Sequence, residues 1–208
     1  ATNVELSAEG VEYDVMVGGE KLHIKTHVPG SFTVYNSLAA VGVGQAIGLT
    51  GKQIEKGIAA LKGVEGRMTR IDEGQNFTVI VDYAHTPDSF EKLFKDLKPV
   101  VKGKLIVMFG SAGRRDEAKR AVQGRLAGRY ADEVIVTEED DRDMDGLEIM
   151  NQIAEGAEGE GKVREKDLFL VHDRTEAINF AVKRAKKGDT VLLLGKGHEK
   201  DILRNGSR

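Results

Sequence analysis

FTVIVDYAHTPDSFEKLFKDL, residues 77–97, decides how the rest of the chain is read. A run of β-branched and apolar residues, Phe77 to Tyr83, passes directly into Ala-His-Thr-Pro-Asp-Ser, and the helical pattern FEKLFKDL follows at once. A short apolar run of this kind, ended by a turn signal and followed by an amphipathic helix, is a strand–helix unit. The same unit recurs downstream. Strand KLIVMFG (104–110) precedes a helix expected over 115–130, and strand EVIVT (133–137) precedes one over 146–156. Strand DLFLVH (167–172) precedes a helix over 174–186, and TVLLLG (190–195) runs into Lys196-Gly197-His198-Glu199. With the helix over 87–98, this alternation predicts an α/β fold: a mostly parallel sheet with helices on both faces. Such sheets bind ligands at the carboxyl ends of their strands. The polar clusters 82–88, 110–116, 137–145, 172–174 and 195–199 all fall there.

The residues before this region read differently. VELSAEGVEYDVMVGGEKLHIKTHVPG alternates and is broken at Gly18-Gly19, the pattern of antiparallel strands joined by a tight turn. Two helical segments follow, Val34 to Ile47 and Gln53 to Leu61, with Gly48 and Gly63 as end signals. Val64-Glu65-Gly66-Arg67 reads as a junction, so the chain is divided into domains 1–65 and 66–208.

Composition bounds the function. The chain has 208 residues, enough for one or two domains with a real core. A formal net charge of −3 with 31% charged residues suits a globular protein and gives no basic surface for nucleic acid. There is no cysteine, which excludes disulfides and thiolate metal sites. No apolar run is long enough to span a bilayer, so a cytoplasmic protein without a membrane partner is expected. The chain lacks an initiator Met and opens on strand-like sequence, which reads as a piece of a longer protein.

No GxxxxGK[ST] phosphate loop is present. GSAGRRD, residues 110–116, could hold an anion with backbone N–H groups and arginine forks, or could be a plain turn. In GKGHE, residues 195–199, glycines on both sides of Lys196 allow a ligand to approach the backbone closely. His85, Asp82 and Asp88 could form a metal site, but loop carboxylates more often cap the next helix. No nucleophile is marked, and no catalytic residue or metal ligand is assigned.

DYAHTPDS (82–89), PGSFTVYNSLAA (29–40), GRM (66–68), GSAGRRD with Lys119-Arg120, and GKGHE occur in the order and approximate spacing of the Mur ligase family, which this chain resembles from about Val28 onward. The resemblance is to the branch that adds the third residue of the peptidoglycan stem peptide. It implies the β-hairpin and two-helix tail of a central ATPase domain, then a Rossmann-like carboxy-terminal domain. The family's UDP-sugar domain and the phosphate-loop half of its ATPase domain have no counterpart here, so the piece is expected to be inactive alone. The implied chemistry is ATP-dependent. A carboxylate of the UDP-linked muramoyl dipeptide is phosphorylated, and the amino group of a diamino acid attacks the acyl phosphate. A monomer is implied, as are ATP and Mg²⁺, with the Mg²⁺ ligands mainly outside this chain.

Residue by residue, the resemblance places Asn36 near adenine, Arg67 on the ATP phosphates, and Asp82 at the ribose or hinge, with Tyr83 and His85 in the neighbouring nucleotide-contacting positions. For the amino acid it aligns Glu139, Asp140, Asp141 and Arg142 with a D-N-P-R motif of diaminopimelate-using members. The arginine is kept and the Asn-Pro is lost. Arg120 matches a second arginine facing the same carboxylate, and Gly195 and Glu199 match positions that hold the far amino and carboxyl groups. Two arginines suit a carboxylate, which favours meso-diaminopimelate over L-lysine. The acids Glu138 to Asp141 leave open an ammonium ligand or a solvated loop. Arg114 stands where the family usually has Asp. The rival reading is a non-catalytic Rossmann-like module that binds a nucleotide or amino acid.

Overall fold

The computed structural model describes residues 1–7 and 10–204. The chain forms two compact units, 1–64 and 65–208. Among the described residues no helix is long and apolar enough to cross a membrane.

Unit 1 begins with β1 (Thr2–Leu6), β2 (Val11–Val17) and β3 (Glu20–Thr26), an antiparallel sheet in the order β1-β2-β3. The β2–β3 hairpin turns at Gly18 and Gly19, both at positive φ, and pairs Val17 with Glu20. β1 is a third strand beyond this hairpin. It carries no inward-facing alternation because every one of its residues is exposed. Helices α1 (Phe32–Ala46) and α2 (Gly51–Ala60) complete the unit. Val11, Tyr13, Leu22 and Ile24 from the sheet pack with Val34, Val41 and Ile54 from the helices. The Tyr13 hydroxyl is satisfied at 2.8 Å by Ser37 Oγ on α1. A reciprocal Thr50–Gln53 capping box starts α2.

Unit 2 contains β4 (Thr69–Ile71), β5 (Thr78–Asp82), α3 (Pro87–Leu97), β6 (Leu105–Phe109), α4 (Ala118–Tyr130), β7 (Glu133–Val136), α5 (Gly146–Glu158), β8 (Leu168–Leu170), α6 (Arg174–Arg184) and β9 (Thr190–Leu194). The sheet order is β4-β5-β9-β6-β7-β8. β4 is antiparallel to β5, and the remaining pairings are parallel. Strand alternation sends Val79, Ile106, Met108, Ile135, Val191 and Leu193 to one face, where Ala177 and Ala181 of α6 cover them. The intervening Leu105, Val107 and Phe109 point to the other face. There Phe109 meets Phe90 of α3 at 4.9 Å between ring centroids. Helices therefore cover both faces. The α4 helix begins at Ala118 rather than Arg115. Arg114 sits at φ +51°, and Asp116 accepts the Ala118 N–H, which keeps residues 114–117 in the loop.

The last strand returns to the middle of the sheet, between β5 and β6. Its carboxyl end therefore delivers GKGHE between the loop after β5 and the loop after β6. This placement, invisible in local sequence, makes the terminal motif the hub of the rim.

Candidate functional site

One side of the rim is built on the loop after β5. Asp82 closes the strand and is 6% exposed. Its carboxylate accepts the Met68 N–H at 2.8 Å and the Ala84 N–H at 2.7 Å. Burial raises its pKa, against the pull of those two N–H groups and of Arg67. Asp82 thus ties residues 66–69 to the DYAH loop and shapes the site from beneath. Tyr83 stands over this clamp. The Arg67 guanidinium lies 4.5 Å from the centroid of its ring, and the rings of His85 and His198 lie at 4.9 and 5.6 Å. The Tyr83 hydroxyl donates to Glu199 Oε1 at 3.2 Å. Burial, then the Glu199 carboxylate, raises the Tyr83 pKa.

Backbone contact explains the two glycines here. A Cβ on Gly66 would lie 2.2 Å from the His198 nitrogen, and one on Gly197 would lie 2.8 Å from the Tyr83 Cβ. Only glycine lets GKGHE settle onto the 66–67 turn and the tyrosine. Lys119, 9% exposed, donates to the His85 carbonyl at 3.1 Å and steadies the same loop from α4. Arg67 and His85 themselves are exposed.

The metal alternative finds no support. Both Asp82 oxygens serve backbone amides, Asp88 pairs with Lys92 at 2.9 Å, and Thr86 rather than Asp88 caps α3. Among the described residues there is no group of three or more His, Asp or Glu side chains that could hold a metal ion.

The other side of the rim joins the loops after β9, β6 and β7. Asp140, 8% exposed, accepts Lys196 Nζ at 2.8 Å and the Leu203 N–H at 2.9 Å. Burial alone would raise the Asp140 pKa, but the Leu203 amide and Lys196 outweigh it and the carboxyl is held below its usual value. Lys196, also 8% exposed, bonds Glu199 Oε2 at 3.0 Å. Asp140, Lys196, Glu199 and Tyr83 therefore form one continuous chain of polar contacts linking the two sides.

Arg142, at φ +50°, reaches Asp140 Oδ2 at 3.5 Å, and its Nε has no hydrogen-bond partner. Arg120 is 0% exposed. One of its terminal nitrogens donates to Gln152 Oε1 at 2.7 Å and lies 3.8 Å from Glu117 Oε1. The other reaches Met144 Sδ at 3.6 Å, and its Nε has no partner. Arg120 and Arg142 share no partner: Arg120 contacts Gln152, Glu117 and Met144, whereas Arg142 reaches Asp140. Gly195, at φ +98°, faces Glu139, whose Oε2 would lie 2.6 Å from a Cβ there. That oxygen is enclosed and unpartnered. Burial raises the Glu139 pKa, only partly countered by Arg174, Lys119 and Lys196. Glu138 is engaged by Arg204 and by the Arg174 N–H.

The structure thus groups Arg67, Asp82, Tyr83, His85 and Glu199, and separately Asp140, Arg142, Glu199 and the Gly195 backbone. Arg120 is set behind Met144. Asn36 is exposed on α1 in unit 1. Sequence reading assigned no individual role to Lys119, Arg174 or Lys196, and took Glu139 only as one aligned position in a run of four acids. Their signal is burial of charge, which no local pattern carries.

Comparison with known proteins adds the following. Residues 66–197 match the family model for the Mur ligase, glutamate ligase domain. Over 206 residues, 98% of this chain and 40% of the relative, the chain is 46% identical to UDP-N-acetylmuramyl-tripeptide synthetase of Roseiflexus sp.. It is 40% identical over 199 residues, 96% of this chain and 39% of the relative, to UDP-N-acetylmuramoyl-L-alanyl-D-glutamate--2,6-diaminopimelate ligase of Bacillus velezensis. A solved structure of a ligase bearing that second name superposes with a TM-score of 0.64 at 30% identity, covering 100% of this chain and 42% of the other. The chain therefore spans about 40% of the length of the curated relatives it matches.

Proposed function

The chain belongs to the Mur ligase family, and from that premise we propose that it is the amino-acid-delivering and nucleotide-closing part of a cytoplasmic ATP-dependent ligase that joins meso-diaminopimelate to UDP-N-acetylmuramoyl-L-alanyl-D-glutamate. On this reading residues 1–65 are the end of the central ATPase domain and 66–208 the carboxy-terminal domain.

The observation that carries the choice of amino acid is an asymmetry of satisfaction. The acids Asp140 and Glu138 are already bonded by Lys196, Arg204 and backbone amides. The arginines keep spare donors at Nε, in a setting where an unmatched guanidinium is costly. A ligand carboxylate complements that surplus, whereas a lysine ammonium does not. Among the described residues Glu139, beside Gly195, is the one acid on this side with an enclosed oxygen lacking a partner. It suits the amino group on the same distal carbon of diaminopimelate.

The tyrosine side suits a nucleotide triphosphate. Arg67 is exposed, lies against an aromatic face, and has no hydrogen bond or ion pair among the described residues, so its donors are available to phosphate. When bound, ATP supplies the phosphoryl group that activates the dipeptide carboxylate. The chain's own residues orient: Arg67 and Tyr83 bind, Asp82 fixes their loop, and Glu199 and Lys196 link that loop to the amino-acid side. The described residues offer no magnesium site, and no step is assigned to the ion here.

The test is phosphate release with UDP-linked dipeptide, ATP, Mg²⁺ and diaminopimelate. The full-length protein should turn over, and the 208-residue chain alone should stay at background. Turnover by the chain alone would overturn its assignment as one part of the ligase.

A further inference from the structure

Arg120 is placed where its side chain is worst served. Arginine has five N–H donors, accepts nothing and cannot shed its charge in a protein. Here it is fully buried with one good acceptor, the Gln152 amide oxygen at 2.7 Å. The Glu117 carboxylate, on an exposed side chain, is 3.8 Å away, and Nε has no partner. The remaining contact is to a thioether, Met144 Sδ, at 3.6 Å. The same sulfur receives the backbone N–H of Arg114 at 3.1 Å. Two donors, one of them charged, converge on one of the weakest acceptors a protein can offer. A carboxylate oxygen at that point would accept both, in charge-assisted bonds roughly twice as strong as neutral ones.

We propose that Met144 is a specificity-determining residue: its sulfur occupies the place of a ligand carboxylate oxygen between the Arg120 guanidinium and the Arg114 amide, and it turns outward when a diamino acid with a distal carboxylate binds. The inference rests on the reading of Arg120 given above. Methionine suits the task because it is unbranched and has three rotatable side-chain bonds. Met144 is half-buried at the edge of the loop. A carboxylate ligand gains two strong bonds by displacing the sulfur. A ligand ending in an ammonium gains nothing there and leaves the sulfur in place. Met144 thereby keeps the buried arginine partly satisfied in the empty protein and yields only to the correct chemical group.

The test is the ratio of kcat/KM for diaminopimelate to that for lysine, measured in the full-length protein. Met144→Glu places the chain's own carboxylate on Arg120 and should lower this ratio by about thirtyfold or more. Met144→Ala removes the plug and should raise the ratio about threefold to tenfold. Met144→Gln, which offers a stronger neutral acceptor, should lower the ratio by a smaller factor than Met144→Glu. This variant carries the test if Met144→Glu fails to fold. Equal losses on both substrates, or unchanged ratios in the Glu and Ala variants, would overturn the proposal. Arg120→Met separates this failure from failure of the underlying reading. A collapsed ratio in Arg120→Met, with unchanged ratios in the Met144 variants, removes only the plug. An unchanged ratio in Arg120→Met removes the carboxylate reading itself.

Discussion

The two ends of the unit 2 sheet carry similar charges and treat them differently. At the amino ends of the strands, Asp189 accepts the Lys104 and Lys186 N–H groups, each at 2.8 Å. Asp132 accepts the Leu105 N–H and Lys98 Nζ, and Glu133 accepts Lys104 Nζ and Arg184 Nε. Every one of these carboxylates is bonded to the loop or side chain beside it. At the carboxyl ends, satisfaction is incomplete. Among the described residues the buried side-chain atoms without a partner are Ser111 Oγ, Arg120 Nε, Gln123 Oε1, Glu139 Oε2 and Arg142 Nε. All sit in the loops after β6 and β7 or in the first two turns of α4. Buried polar groups are normally paired, so a cluster of exceptions needs a cause. One end of the sheet is finished by its own chain; on the function proposed above, the other is finished by a ligand.

The strongest way to break this contrast is to remove a charge from each end. Arg142→Ala in the full-length protein should lower kcat/KM for diaminopimelate by about a hundredfold, because a site built around a buried polar pairing loses most when one partner goes. The weak reaction with lysine should change little, and the melting temperature should stay close to that of the wild type. On the ammonium reading Asp141→Asn would be the more damaging change, and steady-state kinetics of both variants decides between them. Next in size, Arg67→Ala should raise the KM for ATP about tenfold, the low end for loss of a charged hydrogen bond. An unchanged KM would make the 66–69 turn structural only. At the amino end, Asp189→Ala should cost about 1–3 kcal/mol of stability by stranding two backbone N–H groups, read as a lower denaturant midpoint. Its ratio of diaminopimelate to lysine turnover should match that of the wild type.

The smallest expected effect concerns two glutamates and the sign of their pH dependence. Burial opposes ionisation of Glu133, but Arg184 and Lys104 outweigh burial and its pKa is lowered. Its contribution to stability is therefore present above the unfolded-state value, near 4.5, and is lost as pH falls through the lower folded-state value. Glu139 is the reverse. Burial raises its pKa, so the folded state is favoured below the unfolded-state value and loses stability as pH rises through the raised one. Thermal melts from pH 3 to pH 8 should show Glu133→Gln less stable than wild type at neutral pH, with the gap closing in acid. Glu139→Gln should be the more stable protein at neutral pH and level with wild type in acid. The same sign for both variants would erase the distinction between the ends.

Much of this was legible in the sequence because the strands of unit 2 are nearly continuous apolar runs with turn signals at their ends. TVIVD, LIVMF and TVLLL need no partner to be recognised. β4 was not foreseen. It has three residues, Thr69 to Ile71, and owes its strand state to pairing with β5 rather than to any pattern of its own. Strand order was equally hidden, and with it the central position of β9. DYAHTPD and GKGHE could each be marked as rim motifs, but their contact through Tyr83 and Glu199 spans 116 residues of chain. The resemblance placed Asp82 at the ribose or hinge; that its carboxylate also holds the Met68 and Ala84 amides depends on burial that only the folded chain reveals. Arg120 illustrates the same limit, since nothing in AKRAV distinguishes a solvated arginine from one with 0% exposure.

The most direct test is a competition between meso-diaminopimelate and L-lysine for the wild-type full-length protein, with UDP-linked dipeptide and ATP saturating and products separated by mass. Spare guanidinium donors at Arg120 and Arg142 predict that the diaminopimelate product exceeds the lysine product by about tenfold or more at equal concentrations. Equal incorporation, or a preference for lysine, would contradict the claim that this end of the sheet is completed by a carboxylate.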